Sequence, residues 1–196
     1  VGEDARLVAT LAAIDAANAA DPHVVDVDGR AVPKELAHAD AVERWVRRLV
    51  PEPDDLQLIA ARGHHLRRWV VPRSDYPEGR AGYLRWRTDH KKRQAAEVAE
   101  IMVEHGYGAD EVERVASIVS KRGLGSDPAA QVHEDALCLA FLELQFDPVA
   151  DQLGDERTIE VLRKTIRKMS APGIELAGTI PVSASGAALL AAALER

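Results

Sequence analysis

A chain with one cysteine can close no internal disulfide and build no multi-cysteine zinc site, and Cys138 is the only one among these 196 residues. It stands inside the apolar run 136–144, where a small buried hydrophobe is expected. Aromatic residues are scarce, at 4%, and much of the apolar content is Ala and Leu, both good helix formers. No stretch approaches the roughly 18 apolar residues of a membrane-spanning helix; residues 184–194 are too few and carry no basic flank. The start lacks the character of a secretory leader, so the expected location is the cytoplasm. The motifs that would name a chemistry outright are missing too: no phosphate-binding glycine-rich loop, dinucleotide fingerprint, nucleophile elbow or His-Glu-x-x-His. Gly123-Leu124-Gly125 reads as a helix stop.

What is present is the composition of a folded globule, 46% apolar and 29% charged. The length suits one domain over residues 1–196. Net charge is −7, which argues against broad nucleic-acid binding, but its distribution is uneven. Residues 62–93 hold ten Lys/Arg against three Asp/Glu, so this window carries +7 and the remainder −14. A basic island in an acidic chain points to a local anion site.

Apolar spacing and breakers predict helices over residues 4–20, 33–49, 54–69, 83–105, 110–122, 127–146 and 155–169, with a last one opening at Ser183 or Ser185. Residues 24–32 read as a loop turning at Asp28-Gly29, and residues 72–82, with two prolines and two glycines, as irregular. No strand pattern exceeds three or four residues. The expected fold is all-α, a bundle of about seven to nine helices in one domain.

Three of these helices carry chemistry. In the third, Leu56, Ile59, Gly63, Leu66 and Val70 form a core stripe, and Gln57, Ala61, His64, His65 and Arg68 project from the other side. Imidazoles beside an arginine suit metal binding or acid–base work near neutral pH, or else a solvated face. The helix over 127–146 is apolar around most of its circumference, so Asp135 falls inside its stripe and needs a cation, hydrogen-bond donors or a metal. That requirement is met equally by a structural ion pair or cap with an arginine. Leu84, Val98, Ile101 and Met102 define the buried face of the long helix, and Arg87 and Lys91 extend it backwards, either snorkelling or walling a cleft. Arg73, Arg80 and Arg85 flank the irregular connection among Trp69, Tyr76, Tyr83 and Trp86, a setting for Arg–aromatic stacking. His133 is expected on the surface, and His90 off the core stripe and near the cleft. Trp45 is expected in the core.

The stretches IDAANAADP, AARGHHLRRWVVPRSDYPEGRAGYLRWR, DPAAQVHEDALCLAFLE and LRKTIRKMS resemble a family catalogued only as domain of unknown function 4202, and they cover most of the chain in the family order. The family implies no activity. The helix order is also similar to the all-helical HD superfamily of metal-dependent phosphohydrolases. There an Ala-rich helix ends in His-Asp and a later helix brings an Asp in an Asp-Ala context. That resemblance implies that His64 and His65 correspond to the His-Asp pair and Asp135 to the distal carboxylate. His65 stands in place of the Asp of the pair. Ala41 stands where an upstream histidine belongs, with His38 one helical turn earlier, and Ser120-Lys121 stands where another histidine often lies.

The leading expectation is a small-molecule enzyme of HD-like fold, a metal-dependent hydrolase of an anionic or phosphorylated substrate. His64, His65, Glu134 and Asp135 would be catalytic, with His64, His65 and Asp135 holding Mn, Fe or Zn. Arg68, Arg73, Arg80, Arg87, Lys91 and Lys121 would neutralise the substrate. No organic cofactor and no membrane partner are expected. The alternatives are a non-catalytic nucleotide- or RNA-binding module, and a helical partner-binding protein or homo-oligomer with the His64/His65 face covered by another chain.

Overall fold

The computed structural model describes residues 3–27 and 29–195. Asp54 accepts from Gln57 N at 2.7 Å while Gln57 Oε1 accepts from Asp54 N, a reciprocal cap that starts a helix where the sequence predicts it. Asp127 caps its helix with Pro128 in the first turn, and Ser183 accepts from Gly186 N to open the last.

The described chain runs α1 (Glu3–Asn18), β1 (Val24–Val27), β2 (Arg30–Pro33), α2 (Lys34–Leu49), α3 (Asp55–Gly63), α4 (Gly79–Glu104), α5 (Ala109–Val119), α6 (Pro128–Leu144), α7 (Phe146–Leu153), α8 (Asp155–Ile166), α9 (Ala171–Ala177) and α10 (Ala184–Leu194). Single 3-10 turns lie at Arg68–Val70 and Arg73–Asp75. The architecture is helical, as expected, with ten helices among the described residues. The short α7 and α9 were not anticipated in the sequence. The predicted loop over 24–32 is instead an antiparallel hairpin pairing Val24 with Pro33 and Val27 with Arg30. Gly29 supplies the left-handed φ of 77° at its turn, and Asp28 lies outside the described residues.

α3 ends at Gly63, a turn and a half before the predicted stop. Gly63 is a crossing point: a Cβ there would lie 2.5 Å from Val98 Cγ2 of α4. Arg67 then takes φ 47°, a left-handed position that few side-chain-bearing residues adopt. Asn18 Oδ1 accepts from its N–H at 3.1 Å, and the Arg93 guanidinium donates to its carbonyl at 2.9 Å. This reversal leaves Val70 45% exposed, outside the core stripe predicted for it. Leu84 also departs from expectation, at 48% exposed, because α4 begins at Gly79 and its first turns stand clear of the core.

Two apolar clusters fill the interior. One joins α2 to α6 and the C-terminal helices through Val42, Trp45, Val46, Leu139, Phe146 and Leu162. The other joins α1, α3, α4 and α5 through Ile14, Ile59, Val98, Met102 and Ile118. α6 packs against both halves, and Ala130 and residues 133–140 are all buried. A polar residue on α6 is therefore held between the two clusters.

Candidate functional site

The α3 stop places His64 as the cap residue, and its ring turns inward to 8% exposure. His133 on α6 meets it, with Nε2 3.1 Å from His64 Nδ1. His133 is 2% exposed, so the predicted surface position is corrected: the apolar circumference of α6 carries it into the interior. His38 of α2 lies flat against His65, ring centroids 4.0 Å apart and 16° between planes. His65 is stacked on His64 in turn, at 4.8 Å. Four imidazoles from three chain segments thus form one cluster.

Burial governs their protonation. It pushes His38 and His133 down to about 3, with the nearby cations, Arg68 and Lys121 respectively, adding to the effect. Burial drives His64 and His65 well below the ordinary imidazole value as well, helped by their neighbouring rings. The cluster is therefore neutral near pH 7. Both nitrogens of His38 and Nδ1 of His133 are buried without a hydrogen-bond partner among the described residues. Such orphaned polar atoms are uncommon in folded interiors.

Glu35, at the start of α2, lies behind the cluster and places Oε2 3.1 Å from His65 Nδ1. Its own backbone N–H donates to the buried Asp21 Oδ2. Burial raises the Glu35 carboxyl to about 7, against the opposing pull of Arg68 and Lys34. On the far side, Glu134 is gripped by Lys121 and, at 3.6 Å, by the Lys168 ammonium. Burial alone would raise the Glu134 carboxyl, but these two lysines outweigh it and hold it below the usual range. Lys121 reaches Glu134 from a left-handed backbone position, φ 57°.

Most of these groups line one cavity of about 330 Å³, with His133 and Glu35 behind its wall. His38, His64, His65 and Glu134 lie along it together with five cations: Arg68, Arg87, Lys91, Lys121 and Lys168. Glu134 is the single carboxylate among its lining residues. Arg68 is braced over the Trp86 ring at 4.7 Å, and Arg87 stands 5.7 Å from the Tyr83 ring. Trp86 donates to the Val71 carbonyl at 3.0 Å, and His90 Nε2 lies 2.8 Å from the same oxygen. His90 reaches the cavity, as expected. Burial and Lys121 lower the Lys91 ammonium pKa. Cys138 touches the cavity too, but burial pushes its thiol up to about 12, so it is protonated and not a nucleophile.

Three residues assigned to the site from sequence do not line the cavity. Asp135 is buried as expected, at 1% exposure, but it is not among the residues that line the cavity. Its Oδ1 accepts from Ser170 N at 2.9 Å and Gln131 Nε2 at 3.1 Å, and its Oδ2 from Ser170 Oγ at 2.5 Å. The helix wheel assigns a residue to a face, but both faces of α6 are buried, and Asp135 belongs to the one under α9. Arg73 bonds the carbonyls of Tyr76 and Pro77, folding its own loop, and Arg80 is exposed. Neither lines the cavity. Conversely, His38, His133, Lys168 and Glu35 are part of the site without having been assigned to it.

The fold and site define a helical domain whose buried, neutral histidine cluster opens beneath a basic wall. The chain belongs to the family described as Domain of unknown function (DUF4202), whose model matches residues 8–190. No curated protein and no solved structure matches it. No described helix is long and apolar enough to cross a membrane.

Proposed function

We propose that this protein is an enzyme that binds a small phosphorylated or otherwise anionic molecule in the 330 Å³ cavity and hydrolyses it by acid–base chemistry. The observation that carries the reading is the charge balance: five cations and one carboxylate around a floor of neutral imidazoles. Cations in that number neutralise a phosphoryl group and its developing transition-state charge. A neutral imidazole keeps a lone pair free to take a proton from a bound water during the reaction.

His65 is the base in this reading. Glu35, as carboxylate, accepts from His65 Nδ1–H and leaves Nε2 as the basic nitrogen for the cavity that the ring lines. A water polarised there loses its proton to Nε2 and attacks the substrate. The imidazolium so formed on His65 returns that proton to the leaving group, while the neutral His64, held by His133, stays stacked against it. Glu134 keeps Lys121 and Lys168 turned into the cavity.

A divalent ion is what the HD-like resemblance implies, and the donor types suit one. Neutral imidazoles with orphaned nitrogens are ligands in waiting, and the 3.1 Å His64–His133 separation would suit two ligands of one ion. The arrangement does not fit. The face-to-face stack of His38 and His65 turns their lone pairs alongside each other instead of toward one point. Asp135 faces α9, and five cations oppose a sixth. Among the described residues, no group of three or more His, Cys, Asp or Glu is arranged to hold an ion. No step is therefore routed through a metal. The HD-like likeness retains some support in the order of parts: a histidine from α2, a pair at the end of α3 and a carboxylate from α6, with Glu134 in the place expected of Asp135.

A thermal-shift series with inorganic phosphate and phosphorylated metabolites, on protein purified without a histidine tag, tests the reading. Phosphate and at least one ester raise the melting temperature, and Lys168→Gln weakens that rise. Melting temperatures indifferent to every anion would end it. Stoichiometric Mn, Fe or Zn in the same preparation would overturn the metal-free mechanism.

A further inference from the structure

Resting on that reading of the anion site, we infer that the substrate is amphiphilic: a phosphate head joined to an apolar body. The cavity is not uniform along α6. Glu134, the only carboxylate lining it, lies at the end held by Lys121 and Lys168. The next α6 residues to reach it are Leu137, Cys138 and Phe141, at three, four and seven residues beyond Glu134 on one helix face. Seven residues of helix rise roughly 10 Å.

The opposite wall changes in the same sense. Lys168 stands beside Glu134 at 3.6 Å, and its carbonyl accepts from Gln131 of α6 at 2.8 Å. Seven residues earlier in the chain, Val161 of α8 lines the same cavity with no charge to offer. Leu162 of α8 and Leu142 of α6 both line a second, smaller cavity of about 130 Å³. Along α6, and from Lys168 back to Val161, the charged side chains and the apolar ones therefore stand apart, with Thr165 and Gln145 the uncharged polar residues among them. A substrate that is charged throughout, such as a sugar diphosphate, would leave the Leu137–Phe141 wall against polar groups. One with an alkyl or aryl body covers it.

Calorimetric titration of the intact chain with inorganic phosphate and then ethyl, butyl and hexyl phosphate decides the matter. The expected result is a Kd that falls about threefold for each added methylene. Val161→Asn removes that gain and leaves the Kd for inorganic phosphate within about twofold. A Kd that is flat along the series while inorganic phosphate binds overturns the amphiphilic substrate and leaves the anion site standing. A gain that persists undiminished in a folded Val161→Asn variant also overturns it, because the chain then lies elsewhere. Failure of every compound, inorganic phosphate included, overturns the anion reading and this inference with it.

Discussion

Glu35 and His65 are the two side chains whose protonation the mechanism depends on, and each was set by its surroundings. Burial raises the Glu35 carboxyl to about 7, so the carboxylate that fixes the Nδ1–H tautomer of His65 forms only as pH rises through neutrality. Hydrolysis of a phosphate ester accepted by the site is expected to increase through pH 7 and then level off. Glu35→Gln flattens that limb and lowers kcat about 10- to 100-fold with little change in KM. The nitrogen resonances of His65 supply the second measurement, since the variant loses the fixed tautomer. An unchanged pH profile with unchanged resonances would remove Glu35 from the mechanism.

The two acidic neighbours on α6 separate at the scale of elements. Glu134 and Asp135 are adjacent in sequence, so about 100° of helix rotation sends one into the cavity and the other under α9. Asp135 ties α9 to α6, and Gly173 makes room for it: a Cβ at that position would come within 2.8 Å of the carboxylate carbon. Asp135→Ala strands the Ser170 N–H and hydroxyl without their acceptor and leaves the Gln131 amide only the Lys168 carbonyl. A loss of about 2–4 kcal/mol in unfolding free energy is expected from denaturant titration, with phosphate affinity unchanged. A tenfold loss of phosphate affinity in a folded variant would return Asp135 to the site.

For the molecule as a whole, the buried imidazoles couple stability to pH. His38 and His133 protonate in the unfolded chain near the ordinary imidazole value of 6.5, but in the folded protein only near 3. The unfolded state therefore binds more protons between those limits, and stability rises with pH across that window. His64 and His65, also lowered, act in the same direction. Glu35 acts oppositely: with its carboxyl raised from 4.5 to about 7, the folded state holds the extra proton, and stability falls as pH rises between those values. Four histidines outweigh one glutamate. The melting temperature is expected to fall as pH drops from 6.5 towards 4, at up to about 1.4 kcal/mol per pH unit for each proton taken up. His38→Gln should make the slope shallower.

Sequence by itself determined most of the helices and the residue types they carry, but not the hairpin, α7 or α9. Helical spacing, the Asp54 and Asp127 caps and the breakers fixed a helical chain, and the basic window 62–93 supplies three of the cavity's five cations, Arg68, Arg87 and Lys91. Periodicity reports which residues share a helix face, so it found His64 and His65 and the burial of Asp135; Lys121 came from the HD-like resemblance. Tertiary packing decided which buried face meets the cavity. α6 is enclosed on nearly all sides, so its pattern carries no direction. His133 and Glu134 were turned towards the cluster and Asp135 away from it by how α3, α5 and α9 pack around that helix. His38 was noticed only as a near-miss of the HD-like pattern and Lys168 not at all, for a related reason: they lie 26 or more positions from His64, and only the folded chain brings them to it.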